Sequence, residues 1–353
     1  MTIDDNHRDR GRLSLVACAS GRTFARRVDR CLGEIFGAEG TEPVSVLRRS
    51  SEIGFANGEI KNVIHENIRG DDVYVIQCVD DPLLRNHPDP DKRRTVNDNL
   101  MSLLTAINGV YQSDADSITA VIPQFPYSRQ ERKKTREGIT ARLVASAIED
   151  AGANRVITLD IHAEAIQGFF QKAILEDLHA SREIVSYFER RLDESRLVVV
   201  APDTGGADKA RHYAMKFNCG FAVVEKARDY SKTSVIDSMR LVGDVTNMQV
   251  LLPDDLVGTG GTLINACRLL KEQGAGSIYV ACSLPFFNGR AVERLDAAHA
   301  EGLFELVVGT DAVDHGPDFR RLHPWYDEVS VAGLFAQVIF NINRKRSVSA
   351  LLL

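Results

Sequence analysis

The 353-residue chain contains no C-x-x-C pair, and none of its six cysteines (Cys18, Cys31, Cys78, Cys219, Cys267, Cys282) has a nearby histidine at zinc-finger spacing. Neither a structural zinc site nor a disulfide framework is indicated, so the cysteines read as reduced core thiols. No apolar run approaches the roughly 18–20 residues of a membrane span, and the N-terminus, MTIDDNHRDRGR, is too charged for the core of a secretory signal. A cytoplasmic location without a membrane partner is expected. An excess of positive charge is missing too: 43 Lys and Arg face 49 Asp and Glu, for a net charge of −6. That balance argues against bulk electrostatic binding of nucleic acid, although local basic clusters remain. There is no short-period repeat and no low-complexity tract. What is present is an ordinary globular composition, 44% hydrophobic and 26% charged, in a chain long enough for two or three domains.

Short runs rich in Val, Ile and Leu recur at 13–18, 73–78, 118–122, 155–160, 197–201, 221–225, 249–252 and 277–283. They lack polar alternation, which marks strands covered on both faces. Segments of helical period separate them at 22–36, 98–112, 139–151, 182–192, 208–217 and 263–273. This alternation predicts an α/β fold with mostly parallel sheets flanked by helices. The run DDPLLRNHPDPDKRRT (80–95) carries three prolines among charges and is expected to be a surface loop, with Asn97 capping the helix that follows. The two halves look alike, as if one α/β unit occurred twice, with the boundary between 160 and 180 and the last strand and helix free to return to the first.

The sharpest chemistry lies in QVLLPDDLVGTGGT (249–262). An apolar strand ends in Asp254 and Asp255, then passes through Gly258, Thr259, Gly260, Gly261 and Thr262 into a helix. Glycines let consecutive backbone N–H groups converge, and a helix N-terminus adds partial positive charge, so the loop suits a phosphate dianion. The paired carboxylates are placed to accept hydrogen bonds from sugar hydroxyls beside it. Together these groups describe a pocket for ribose 5-phosphate; the plainer alternative is a glycine-rich turn with an acidic cap.

The pattern D-D-x-x-x-T-G-G-T resembles the phosphoribosyl-pyrophosphate loop of type I phosphoribosyltransferases. PQFPYSRQERK, RVITLDIHAEAIQGFF, VVVAPDTGGADKAR, FANGE and VNDNLMSLL narrow the likeness to the ribose-phosphate pyrophosphokinases, in order from about residue 13 to the C-terminal EVSVAGLFAQVIFNI. The resemblance implies two tandem phosphoribosyltransferase-type domains, 1–165 with 328–353 and 166–327. It also implies transfer of the β,γ-diphosphate of Mg-ATP to the 1-hydroxyl of ribose 5-phosphate, giving 5-phosphoribosyl 1-pyrophosphate and AMP. Mg²⁺ is the implied cofactor, and a dimer-based homo-oligomer, up to a hexamer, the implied assembly.

The same resemblance assigns His162 and Asp203 to the metal, His162 also to the ATP phosphates, and Asp203, Thr204, Gly205 and Gly206 to the diphosphate. A hard Mg²⁺ suits Asp203 with phosphate oxygens and water; His162 is less usual and, by itself, would be a core or turn histidine. Arg129 and Gln130, on a polar run after a strand, match ATP-binding positions, where a guanidinium forks onto phosphate or stacks on a base. Phe55, Asn57 and Glu59 match the family's adenine-reaching loop from a neighbouring subunit, and Lys226 and Arg228 its mobile catalytic loop. Alone, FANGE is a turn and K-x-R a pair of loop cations.

Several departures stand out. Gly258 replaces the usual Asp, Pro253 a usual Val or Ile, and Glu131 an Asp; Gly138 sits where Pro is common, and S-L-P (283–285) where T-H-G is frequent. Segment 80–95 is about a dozen residues longer than its counterpart. They leave two alternatives beside the synthase: another ribose 5-phosphoester acceptor such as ADP-ribose, or a catalytically silent regulatory homologue.

Overall fold

The structure, a computed structural model, describes residues 9–40, 44–228 and 236–351. The chain divides into two compact units. One holds the residues up to His179, Ala312–Asp314 and the stretch from Val331; the other holds Ala180–Asp311 and His315–Ser330.

In the first unit, β1 (Leu13–Ala17), β4 (Asp72–Ile76), β5 (Ser117–Val121), β6 (Arg155–Leu159) and β7 (Ile174–Leu178) form a parallel sheet in that order. All five residues of both β1 and β4 are buried, as befits strands covered on both faces. Helices α1 (Arg22–Ala38), α3 (Val96–Gln112), α4 (Thr140–Ala151) and α10 (Ala332–Asn343) belong to this unit. Val73, Val75, Leu103, Ile107, Ile118, Val144 and Ile148 share its core. Gly21 opens α1 so close to the sheet that a Cβ there would lie 2.2 Å from Ile76 O, which explains a glycine in an ordinary helical conformation. Strand β7 pairs with β6 and keeps 166–179 in this unit. Helix α10 packs on α1 through edge-on pairs Phe24–Phe335 (5.2 Å between centroids) and Phe36–Phe340 (5.5 Å). A separate antiparallel hairpin, β2 (Ser50–Gly54) and β3 (Ile60–Ile64), contacts α3.

Two local expectations are corrected here. Segment 80–95 is not a featureless loop: it contains helix α2 (Pro82–Arg85) and a 3₁₀ turn, Pro90–Lys92. Each starts with proline, whose fixed φ and missing N–H suit a first helical position. Each is capped by the preceding aspartate, Asp81 accepting from Leu83 N and Leu84 N, and Asp89 from Asp91 N. Likewise Thr95, and not Asn97, caps α3: Thr95 Oγ1 accepts from Asp98 N (3.3 Å) while Asp98 Oδ2 accepts from Thr95 N (2.7 Å). Asn97 lies inside the helix and accepts from the Tyr127 hydroxyl instead.

The second unit has a seven-stranded sheet in the order β10 (Ile236–Val242), β9 (Gly220–Arg228), β8 (Leu197–Ala201), β11 (Gln249–Leu256), β12 (Ile278–Leu284), β13 (Leu306–Thr310), β14 (Tyr326–Val329). Only the β9–β10 pairing is antiparallel among these. Helices α5 (Ser181–Phe188), α6 (Ala207–Lys216), α7 (Gly261–Glu272), α8 (Ala291–Ala300) and α9 (Phe319–Leu322) accompany it. Its core includes Val198, Val200, Leu252, Leu263, Cys267, Val280, Leu295 and Val307. Pro253 is tolerated inside a central strand because the β11–β8 register ends at Leu251, while β11–β12 continues to Leu256. Strand β14 pairs with β13 and keeps 328–330 in this unit.

None of the six cysteines is in a disulfide, but Cys31 and Cys219 are half-buried, not core, residues. Among the described residues, no helix is long and apolar enough to cross a membrane.

Candidate active site

The second unit gathers the sugar-phosphate candidates at one edge of its sheet. β8 and β11 run parallel side by side, so the turns after them open at the same carboxyl edge, the place where open α/β sheets bind ligands. Strand β11 runs longer than its apolar run suggests, and Asp254 and Asp255 come just before its last residue, Leu256. Asp255 N donates to Asp254 Oδ1 (2.9 Å) and Leu256 N to Asp255 Oδ1 (3.0 Å), which fixes both carboxylates at the strand end. Burial first, and then the adjoining Asp255 carboxyl, hold Asp254 well above the usual carboxylate range; Lys209 on α6 opposes the shift.

Helix α7 begins directly after Gly260, whose φ of 75° lies in the left-handed region that glycine enters freely. Asn288 N donates to Gly258 O (2.9 Å) and Phe287 N to Val257 O (2.9 Å), bracing the loop from behind. Thr259 and Thr262 are exposed. Beside this loop, Asp203 Oδ1 accepts from Gly206 N (3.2 Å), closing the Thr204–Gly206 turn ahead of α6. Asp203 adds to the negative field at Asp254, so the two turns are electrostatically one neighbourhood. The backbone of Lys226 and Arg228 belongs to the far end of β9, beyond the last β8 pairing at Ala201–Val223. Their side chains, and residues 229–235, lie outside the described residues.

The first unit brings Arg129, Gln130 and His162 together. They line a cavity of about 350 Å³ with Glu131, Arg132, Lys134, Glu137 and Gly138. Glu137 shapes the basic run by accepting from Lys134 N (2.6 Å) and Thr135 N (3.2 Å), and these bonds pull its carboxyl below the usual range. The turn leading to His162 is held under backbone strain: Asp160 has φ 43°. Asp160 N bonds Leu178 O (2.7 Å), Ile161 N bonds Asp177 Oδ1 (3.0 Å), and His179 Nδ1 lies 3.2 Å from Asp160 Oδ1. Phe55, Asn57 and Glu59 stand apart from this cavity's lining, exposed at the tip of the β2–β3 hairpin. The turn closes through Phe55 N to Glu59 O (2.8 Å) and Glu59 N to Asn57 Oδ1 (3.2 Å).

His162 belongs to the first unit and Asp203 to the second, and among the described residues no group of three or more His, Cys, Asp or Glu could hold a metal ion. Lys209 and Glu52 were not evident from sequence. Lys209 follows the Asp203 turn on the first turn of α6, and that spacing was the available signal; Glu52, in a mixed-polarity stretch, gave none.

The chain is similar to known proteins over most of its length. A family profile described as the N-terminal domain of ribose phosphate pyrophosphokinase matches residues 13–152, and one described as a phosphoribosyl transferase domain matches 171–316. Ribose-phosphate pyrophosphokinase 1 of Listeria monocytogenes is 38% identical over 306 residues, covering 86% of this chain and 89% of that one. The Streptococcus agalactiae protein of that name is 33% identical over 341 residues, 96% of each chain. Among solved structures, the phosphoribosylpyrophosphate synthetase of Mycobacterium smegmatis superposes with a TM-score of 0.79 at 30% identity, covering 95% of this chain and 99% of that one.

Proposed function

Because the chain belongs to the ribose-phosphate pyrophosphokinase family, we propose that its second unit holds ribose 5-phosphate on Asp254, Asp255 and the loop Gly258, Thr259, Gly260, Gly261 and Thr262. The chain is an enzyme that forms phosphoribosyl pyrophosphate. The sugar's anomeric oxygen attacks the β-phosphorus of ATP, the bond from that phosphorus to the AMP oxygen breaks, and the hydroxyl proton is lost. Positioning and charge neutralisation dominate such a transfer.

The observation that carries the reading is the pair of strand-end carboxylates leading into a glycine-opened helix N-terminus at the carboxyl edge of a parallel sheet. The loop N–H groups take the 5-phosphate while the carboxylates accept from the ring hydroxyls. Asp203, Thr204, Gly205 and Gly206 receive the diphosphate. Arg129, Gln130 and His162 hold the ATP phosphates, and Phe55, Asn57 and Glu59 take the adenine. Lys226 and Arg228 supply positive charge to the diphosphate as it transfers.

Magnesium fits the donor set. The carboxylates of Asp255 and Asp203 set a negative field at Asp254 that suits a hard cation, and Mg²⁺ usually keeps waters and substrate phosphates around it. Asp203 would hold it, with His162 at the phosphate side; when bound it neutralises polyphosphate charge. We also propose a dimer-based homo-oligomer, up to a hexamer, which sedimentation velocity tests. Neither ADP-ribose as acceptor nor a silent regulatory role is favoured by the relatives' names.

Phosphorus NMR of a mixture with Mg-ATP and ribose 5-phosphate should show AMP and a sugar 1-pyrophosphate. ADP as the sole nucleotide product would refute attack at the β-phosphorus.

A further inference from the structure

Segment 80–95 is tied at its start to a buried glutamine and at its end to the hairpin that carries Phe55. Asp80 N donates to Gln124 Oε1 (3.3 Å), and the Gln124 amide nitrogen donates in turn to Ala312 O. Arg94 N bonds Leu84 O (3.3 Å), so the segment closes on itself just before Thr95 caps α3. From this braced position Arg94 Nη2 lies 3.5 Å from Glu52 Oε1, the side chains being 24% and 5% exposed. Glu52 sits in β2, three residues before Phe55. Its second oxygen accepts from Ala19 N (3.1 Å) and from Ser102 Oγ on α3 (2.5 Å).

We infer that Arg94 is a positioning residue for ATP: it neutralises the buried Glu52 carboxylate and so fixes the angle at which the hairpin presents Phe55, Asn57 and Glu59. This rests on the proposed reading of that turn as the adenine contact. A buried carboxylate stripped of its cation is strongly disfavoured, and its simplest relief is to reach water. Strand β3 resists that movement, because Asn62 Nδ2 donates to Ser102 O (2.9 Å) and Thr105 Oγ1 (2.9 Å) on α3. Strand β2 is paired to β3 from Ser50–Ile64 to Gly54–Ile60, so the relief falls on the exposed end of the hairpin, Ile53 and Gly54, which lead straight into the turn. A Cβ at position 54 would meet Arg94 Nη2 at 3.2 Å, so Gly54 leaves the guanidinium room to lie against the strand. The added segment thus supplies, in this chain, the cation that sets the hairpin.

Steady-state kinetics of the full-length protein with Mg-ATP and ribose 5-phosphate tests this. Arg94→Ala should raise KM for ATP about tenfold, the scale expected when a binding group is slightly misplaced, with kcat and the ribose 5-phosphate KM within about twofold. Arg94→Lys should recover most of the loss, because a cation is what Glu52 requires. If Arg94→Ala does not fold, the double variant Arg94→Gln with Glu52→Gln leaves no buried charge; a near-normal KM for ATP supports neutralisation, and a raised one refutes it. Phe55→Ala separates the two ideas. A raised ATP KM in Phe55→Ala with none in Arg94→Ala overturns the role of Arg94 alone. No change in Phe55→Ala overturns the adenine assignment and this inference with it. Equal losses for both substrates and kcat in Arg94→Ala would mark a merely structural pair.

Discussion

Gly260→Ala isolates what the left-handed residue ahead of α7 contributes. A Cβ at Gly260 would meet Leu295 Cγ at 3.6 Å, Leu295 Cδ2 at 3.7 Å and Ile264 Cδ1 at 3.8 Å, all ordinary contact distances. Steric overlap therefore adds nothing, and the whole penalty is conformational: φ of 75° costs a residue with a Cβ about 1–2 kcal/mol. For a unit of this size that corresponds to a fall in Tm of roughly 2–8 °C. The chain can relieve the strain by rotating Gly260, but rotation turns the loop N–H groups away from the phosphate. Losing one or two bonds to a charged group, each about 1.5–3 kcal/mol, would raise KM for ribose 5-phosphate by tenfold or more. Gly260→Asn is the control, because asparagine tolerates the left-handed region better. Calorimetry and initial rates on the three proteins decide the matter. If Asn is as damaging as Ala, or if Ala leaves both Tm and KM unchanged, the loop does not depend on this dihedral.

Other substitutions address the remaining roles. Asp255→Ala should raise KM for ribose 5-phosphate and spare that for ATP; an effect confined to ATP would overturn the sugar assignment. Lys226→Ala should lower kcat by about a thousandfold, the scale of cations that meet a transferring phosphoryl group, with ATP affinity measured by calorimetry nearly intact. An unchanged kcat removes Lys226 from the mechanism. Asp254 is raised in the folded chain, so the stability from its neutral form is complete below the unfolded carboxylate value of about 3.9 and is lost as pH rises through the folded one. In metal-free buffer Asp254→Asn should therefore raise Tm near neutral or higher pH and give no gain at about pH 4, whereas a pH-independent difference would contradict a raised carboxyl.

What could be read from sequence follows the strength of the local signal. Strands such as β1, β4 and β8 are buried throughout and mostly apolar because helices cover both faces, and that signature is readily seen. The hairpin strands SSEIG and IKNVI are half-exposed and mixed, so neither periodicity stood out, although the turn between them carries Phe55. Segment 80–95 misled because prolines disrupt a helix only in its interior; at a first position after aspartate they start one. In the candidate site, residues linked by chain order, such as Asp254 to Thr262, were legible as a motif. Glu52, Ser102 and Arg94 meet only through folding, and no local pattern announces a carboxylate that will be buried by partners 42 and 50 residues away.

The seating of α10 on α1 bears on how the chain is made. Phe24 and Phe36 leave the ribosome well before their partners Phe335 and Phe340, about 300 residues further along the chain. At about 5–20 residues per second, synthesis of the roughly 300 residues between them occupies some tens of seconds, during which α10 cannot cover α1. The second unit, continuous apart from Ala312–Asp314, can close its sheet first. A nascent chain of this design holds an unfinished first unit while the second is completed, and the first is finished only when α10 arrives to meet α1.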